Sequence, residues 1–375
     1  MSDVHDRLTA LSDAIERLHV GQASLFRNRL SRAIVFSNEA GDQILDGLLS
    51  GAAPDRIAAE AAEDPQDIAV LLPAIEQTLD AWRSAGLLST TDLATHFPEE
   101  PPAGATSFEA VFHHAGRFCR LMSDSAALFG QIATLLCDFR LFGAHPSLNA
   151  TVRMAEVPAG IAVFEDGRPL WRAATPDEAR FLAMQALIAA LTGGDATSAI
   201  LHAGLVVKAQ AGLLLAGTTG RGKTTLTLAL TDAGWAFGGD DMIALRSDGT
   251  ATALPLGAHL KQNKDVQARS DARVVAWCDA DGGLFWPPLT VTSGSHINIR
   301  AILLPHHAPD HAPTLNAVSP EAALEALVTT GSEPIGTTQS LSGIATLVNT
   351  APAYTMTYAS TAQALDLIDA LPSAT

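Results

Sequence analysis

Leu213 to Thr225 reads LLLAGTTGRGKTT. An apolar strand runs into a glycine-rich turn that closes on Gly222-Lys223-Thr224. Gly217 to Thr224 fits the spacing G-x-x-x-x-G-K-S/T, and that spacing has a physical basis. Glycines let the backbone turn so that successive N–H groups point inward at phosphate oxygens. The helical segment that follows, KTTLTLALTDAG, offers its positive N-terminal end to an anion. On this reading Gly217, Thr218, Thr219, Gly220, Arg221, Gly222, Lys223, Thr224 and Thr225 form a nucleotide cradle. Lys223 reaches the β- and γ-phosphates, and the Thr224 hydroxyl holds Mg2+. ATP and Mg2+ are the expected ligands. Arg221 either pairs with a phosphate or faces solvent.

Outward from the loop, the helix ends near Gly234 and WAFGGDDMIAL reads as a strand carrying Asp240 and Asp241. Neighbours on a strand point to opposite faces, so one acid faces the metal while the other is left for different work. A carboxylate near a γ-phosphate can accept the proton of an attacking hydroxyl. Upstream, SAILHAGLVVKAQAGLLLAG reads as a hairpin of buried strands feeding the loop. His202 lies within it, and on its surroundings alone it reads as a packed core histidine.

The stretch LHAGLVVKAQAGLLLAGTTGRGKTTLTLALTDAGWAFGGDDMIAL resembles the core of the HPr kinase/phosphorylase family and its bacterial relatives. That family has a histidine opening the upstream strand, then the glycine loop, then a DD pair. Here His202 lies fifteen residues before Gly217, and Asp241 seventeen after Thr224. The resemblance implies an α/β fold of the phosphoenolpyruvate-carboxykinase-like P-loop kind, with a mixed sheet. It makes Asp241 the proton acceptor, His202 an active-site residue and Asp240 a metal-side ligand beside Thr224. It is strongest over 196–246 and extends more softly over 107–195 and 250–375, through LPLGAHLKQNKD and APAYTMTY. Lys261 either neutralises phosphate charge or is solvated. The arginine- and glycine-rich signature for dephosphorylation is missing, so phosphorolysis is not expected, nor is HPr as the substrate.

The first 88 residues read as a separate module. Residues 1–19 show a helical mixture of acids and bases, and ASLFRNRLSRAIVFS (23–37) alternates like a β-hairpin with RNRLSR near its turn. Three helices follow, the last carrying Pro73. This β-ribbon with three helices is a winged-helix pattern. AIVFSNEAGDQILDGLLSG and the helices after it resemble the PqqD-like peptide-recognition domain. The resemblance implies that a leader peptide adds as a strand to the 23–37 hairpin, with Phe26, Leu30 and Ile34 on or near the ribbon and Arg27, Arg29 and Arg32 drawing an acidic leader. Residues 89–106, polar and proline-rich, read as a linker to the kinase-like domain, 107–375. Residues 1–88 hold seven Lys and Arg against fourteen Asp and Glu, a net of −7. DNA readers concentrate positive charge on one face, so a nucleic-acid partner is not expected. A purely structural or dimerising module is the remaining reading.

The bulk numbers set limits on partners and compartment. The chain has 375 residues, 47% hydrophobic, and a formal net charge of −17, which repels nucleic acid and anionic lipid. No apolar run is long enough to span a membrane, and the N-terminus lacks the apolar core of a signal peptide. Cys119, Cys137 and Cys278 have no metal spacing and are expected as reduced thiols. Relatives of the kinase family are often oligomeric, so a homo-oligomer is expected on that ground. The function expected is an ATP-dependent kinase acting on a serine or threonine hydroxyl of a ribosomally made precursor peptide. The rival readings are a free amino-acid or small-molecule kinase with a regulatory first domain, and a non-catalytic, nucleotide-gated peptide chaperone.

Overall fold

The computed structural model describes residues 2–91, 108–143, 147–157, 160–193, 196–218, 220–254, 256–260, 275–278, 284–286, 294–330 and 341–372. The chain divides into two units, Met1–His96 and Phe97–Thr375. Together they make a mixed α/β protein whose larger sheet carries both parallel and antiparallel pairs.

In the first unit, α1 (Ser2–Ala14) leads into β1 (Ile15–Val20), β2 (Ala23–Asn28) and β3 (Ile34–Asn38), a three-stranded antiparallel sheet in that order. Three helices follow: α2 (Glu39–Leu49), capped by the Asn38 side chain on the Gly41 amide, α3 (Pro54–Ala61) and α4 (Ile68–Ser84), which accommodates Pro73 in its interior. Phe26, Leu45, Ile57, Leu79, Trp82 and Leu87 form the core. The Phe26 ring meets Trp82 edge-on at 5.5 Å between centroids. Asn28 is fully buried and fastens the hairpin loop. Its Nδ2 donates to the Leu87 and Ser89 carbonyls, both at 2.7 Å, and its Oδ1 accepts from the Leu30 and Ser31 amides.

Two expectations for this unit are corrected. Residues 15–19 are strand, not a continuation of the helix. Ile-Glu-Arg-Leu-His-Val alternates, and the Gly21-Gln22 loop folds it back on β2 with Val20 opposite Ala23. The added strand changes the arginines. Glu16 lies directly across from Arg27 in the ladder, and Arg27 is 1% exposed with its guanidinium 3.4 Å from that carboxylate. Arg27 is an internal ion pair and cannot attract a leader. Phe26 lies on the ribbon, in β2, with its side chain in the core.

The second unit begins with β4 (Phe108–His114), β5 (Arg117–Ser123), β6 (Arg140–Leu141), β7 (Ala150–Val157), β8 (Gly160–Glu165) and β9 (Arg168–Ala173). They form a six-stranded sheet in the order β6-β4-β5-β7-β8-β9. The expected EDGR turn joins β8 to β9. Two helices belong to this layer, α5 (Ala126–Leu135) and α6 (Pro176–Thr192). Thr175 caps α6 by accepting from the Glu178 amide at 3.2 Å. Every residue of α6 from Ala183 to Thr192 is buried. A helix apolar on all faces must be covered on all faces. One side of α6 meets Leu121 and Val152 of the six-stranded sheet, and the other meets Ile200 and Ala244 of the next.

That next sheet holds the glycine loop. Its strands are β10 (Thr197–Leu201), β11 (Ala203–Lys208), β12 (Ala211–Ala216), β13 (Ala236–Gly239), β14 (Ile243–Arg246) and β15 (Ala251–Ala253). After a separate small sheet of β16 (Ala258–Leu260), β17 (Val275–Cys278) and β18 (Leu284–Trp286), it regains β19 (Gly294–His307), β20 (Thr314–Val318) and β21 (Ala353–Tyr358). The path is β10-β14-β15-β19-β12-β11-β13, with β21 on β19 and β20 beyond. The strand β12 is central and buried from Gly212 to Ala216. Each fully buried leucine there contributes about 1.5–3 kcal/mol. Four more helices, α7 (Lys223–Asp232), α8 (Pro320–Thr329), α9 (Ser342–Thr350) and α10 (Thr361–Asp369), complete the described fold. Leu226 and Leu230 of α7 pack with Leu213 and Leu215 of β12, and with Ile368 of α10.

The segment 198–216 is therefore three strands, not one hairpin. The chain breaks at His202, because β10 leaves to pair with β14 while β11 pairs with β12. WAFGGDDMIAL is not a single strand either: β13 ends at Gly239 and β14 starts at Ile243, with both acids between them. Register then brings the pieces to one end of the sheet. Ala203 opposes Ala216, which sets His202 beside the start of the glycine loop. Leu205 opposes Gly239, which sets Asp240 beside Gly204. No helix among the described residues is long and apolar enough to cross a membrane.

Candidate active site

The glycine loop leaves β12 at Ala216 and enters α7 at Lys223. Gly217, Gly220 and Gly222 have φ of 129°, 86° and 94°. Any other residue would be strained there. The N-cap of α7 is Gly222, with no side-chain cap. The first-turn amides are thus left for an outside acceptor. Lys223 is 6% exposed, and its Nζ donates to the Gly217 carbonyl at 2.6 Å. The ammonium closes the loop on itself from within. Arg221 and Thr218 lie at the outer rim, with Arg221 Nε donating to Thr218 Oγ1 at 3.3 Å. Both border a cavity of about 400 Å³ that also takes in His306, Glu325, Thr355 and Thr357. Thr225 is exposed on the first turn of α7. Thr219 and Lys261 lie outside the described residues.

Thr224 and the two acids follow. The Thr224 hydroxyl donates to Asp240 Oδ2 at 2.8 Å, and Asp240 is 4% exposed. A Cβ on Gly204 would come within 2.3 Å of Thr227 Oγ1 and 3.4 Å of Asp240 Oδ1. Glycine at this position is what lets α7 and the acid approach β11. A threonine hydroxyl and a carboxylate are hard oxygen donors of the kind Mg2+ takes. The pair fits that ion.

Asp241 is held differently. Its φ is 65°, and the Met242 amide donates to the Asp240 carbonyl at 2.9 Å. A one-residue-centred turn with positive φ is the strained γ-turn. The two carboxylates diverge because of this turn, not because of a strand's pleat. Asp241 Oδ1 lies 3.4 Å from His202 Nε2. On the other side of the ring, His202 Nδ1 is 2.7 Å from the Thr330 carbonyl. A carbonyl only accepts, so Nδ1 carries a hydrogen and Nε2 is the nitrogen that titrates. The hydrogen bond to Asp241 raises the His202 pKa above its ordinary value, against burial and the Lys223 charge, which lower it. His202, Asp240 and Asp241 form one wall of a second cavity of about 210 Å³.

The described residues expected at the site thus gather at one end of the sheet, as the glycine loop, the Thr224–Asp240 pair and the Asp241–His202 pair. Sequence reasoning missed Gly204, Thr330 and Tyr358. Gly204 had a signal, a glycine opening an apolar strand. Thr330 acts through its main chain and had none. Tyr358 is 4% exposed, and its hydroxyl would stand 2.8 Å from a Cβ on Gly222. Burial pushes the Tyr358 phenol up to about 12, so it stays a neutral hydroxyl against the loop.

No protein-family model matches the chain, and no curated protein matches it. Among solved structures the chain is similar to the HPr(Ser) kinase/phosphatase from Coxiella burnetii. The identity is 14%, over 44% of this chain and 89% of that one, with a TM-score of 0.25.

Proposed function

We propose that the chain is an ATP-dependent peptide kinase with a phosphoenolpyruvate-carboxykinase-like P-loop domain at 107–375. On the same reading, a winged-helix, PqqD-like domain at 1–88 captures a precursor peptide, and 89–106 link the two. The observation that carries the reading is the convergence on the N-terminus of α7: Lys223 on Gly217, Thr224 on Asp240, and Asp241 on His202.

ATP is the phosphoryl donor. Loop amides and Lys223 hold its β- and γ-phosphates, and Lys223 offsets charge as the transfer proceeds. Thr224 and Asp240 would hold Mg2+, which when bound neutralises phosphate charge. An acceptor hydroxyl attacks the γ-phosphorus. A new P–O bond forms, the bond to the β,γ-bridging oxygen breaks, and ADP leaves with that electron pair. The hydroxyl proton passes to the Asp241 carboxylate. A positioned base of this kind contributes about 10²–10⁴-fold. His202, its tautomer set by Thr330, lies next in line to share the proton.

Capture of a peptide by the first unit is supported by its sheet order. Both β1 and β3 are edges, and the side chains of β3 from Ile34 to Ser37 are half-buried. An extended peptide can add main-chain hydrogen bonds to such an edge. Arg29 at the hairpin turn is half-exposed, with its Nε 3.9 Å from the Glu16 carboxylate. Tethering raises the local acceptor concentration to roughly millimolar, so a weak grip at the kinase site suffices. Cytoplasmic location belongs to the same proposal.

The test is to incubate the full chain with ATP, Mg2+ and serine- or threonine-containing peptides with their leaders, and to read phosphate adducts by mass spectrometry. Adducts on peptide are expected, with the rate toward full-length precursor falling when 1–88 are deleted. Tight ATP binding with no phosphate on any peptide or free amino acid would sink the reading.

A further inference from the structure

We propose that the cavity beside Asp241 is an acceptor subsite that takes one bulky apolar side chain, from the residue adjoining the phosphorylated serine or threonine. The inference rests on the kinase reading and adds a substrate class to it.

Apart from Arg180 and His202, the rest of the lining is apolar. It is made by Leu135 at the end of α5, Phe181 and Met184 on α6, Met242 beside the catalytic turn, and Leu256. Phe181 stands out. Its helix is buried through ten consecutive residues, yet Phe181 near the helix start is 42% exposed and faces this space. A large apolar side chain left open beside a proton acceptor is surface that an incoming apolar group would cover. Size selects the occupant. The cavity holds about 210 Å³, below the roughly 300–1,000 Å³ that encloses a drug-sized molecule. It matches a single side chain better than a whole metabolite. The lining works against charge of either sign: an acidic side chain would meet Asp240 and Asp241, and a lysine would meet Arg180 and lay its ammonium against leucine and methionine. Met184 and Met242 are flexible and fill irregular gaps. The subsite therefore accepts Leu, Met and Phe alike, without strict choice among them.

Position follows from the wall the acids share with it. Asp241 must reach the hydroxyl while the cavity holds its neighbour, so the two groups come from adjacent residues of one extended acceptor segment.

The experiment uses the full chain with ATP, Mg2+ and a peptide series that differs only at the residues before and after the hydroxyl. Leu, Met and Phe are compared with Ala, Asp and Lys at each place. The expected result is a kcat/KM for the bulky apolar peptides roughly 10–200-fold above Ala at one of the two places, with Asp and Lys below Ala. In Phe181→Ala the apolar preference shrinks toward the Ala level. Phe181 lies outside the fully buried stretch of its helix, so the variant keeps its fold, which an unchanged ATP dissociation constant and melting temperature verify. In Phe181→Glu the order inverts, and Lys overtakes Leu. Phosphorylation independent of the neighbour, or a preference untouched by either variant, overturns the subsite while leaving the kinase standing. Free serine phosphorylated as fast as the best peptide also overturns it. Absence of phosphate on every acceptor overturns both.

Discussion

Two sharp turns bracket the candidate active site, and they reach the same left-handed backbone by opposite means. The loop at 217–222 uses glycines at three positions, where the conformation costs nothing in sterics. The turn at 240–242 uses an aspartate at φ 65°, which stores roughly 1–3 kcal/mol. The difference tracks what each turn offers. The loop offers main-chain amides, and a side chain would only obstruct them. The turn offers a carboxylate, and glycine has none. Strain survives at Asp241 because its neighbours are fixed: Gly239, Asp240 and Ile243 are buried, and His202 holds its side chain.

If the strained turn exists to present a base, the largest effect comes from Asp241→Asn. Asparagine tolerates the left-handed region and keeps the size, so only the base is lost. Phosphate transfer should fall about 10²–10⁴-fold, with nucleotide affinity, measured by calorimetry, changed less than about threefold. Transfer retained within tenfold would move the base elsewhere. The matched change in the other turn is Gly222→Ala. It brings about 1–2 kcal/mol of left-handed strain and a Cβ 2.8 Å from the Tyr358 hydroxyl. ATP binding should weaken by roughly tenfold or more. Adding Tyr358→Phe to this variant removes the contacted oxygen and should recover part of the loss, a coupling of roughly 0.5–3 kcal/mol. Strictly additive losses would show that the loop is strained by backbone alone.

The same contrast explains what could be read from the chain. Glycine announces its purpose, since few other residues serve at φ 94°, so Gly217 to Lys223 could be placed before any coordinate. Aspartate at positive φ announces nothing, and Asp240-Asp241 reads as strand interior. The roles foreseen for that pair came from the family resemblance, and the pleat expected to separate the two side chains is replaced by the turn at Asp241. His202 was visible as a residue but not as a fixed tautomer, because its anchor is the carbonyl of Thr330, 128 residues away. The Arg27 error follows from a missed strand. Ile15 to Val20 continues the acid–base mixture of the preceding helix, so nothing suggested that Glu16 would lie opposite Arg27. Once β1 is in place, the ion pair is dictated by register.

A smaller effect separates strain from chemistry. Asp241→Gly removes the base and also the strain. It loses the half-exposed contact with His202, of about 0–1 kcal/mol for such a pair, and gains unfolded-state freedom of about 0.4–1 kcal/mol. Release of roughly 1–3 kcal/mol outweighs these. The inactive variant should melt roughly 2–4 °C above the wild type, while Asp241→Asn should not. A lower melting temperature for Asp241→Gly would mean the turn is relaxed as it stands, and the contrast between the two turns would dissolve.

The smallest effect is the pH dependence of the His202–Asp241 contact. The folded His202 pKa is raised above the ordinary 6.5, first by its hydrogen bond to Asp241. A raised pKa means that the folded state binds the proton more tightly than the unfolded state. The contribution is therefore full below about pH 6.5 and fades as pH climbs through the raised folded value. Wild-type melting temperature should decline over that window by roughly 1–2 °C more than that of Asp241→Asn, a modest amount because both groups keep contact with water. The charge of Lys223 opposes protonation of His202, so Lys223→Met should push the decline to higher pH. A decline of equal size and position in all three proteins would place the titrating group elsewhere. Asp241 would then lose the partner that orients it, and its strained turn would have to hold the carboxylate alone.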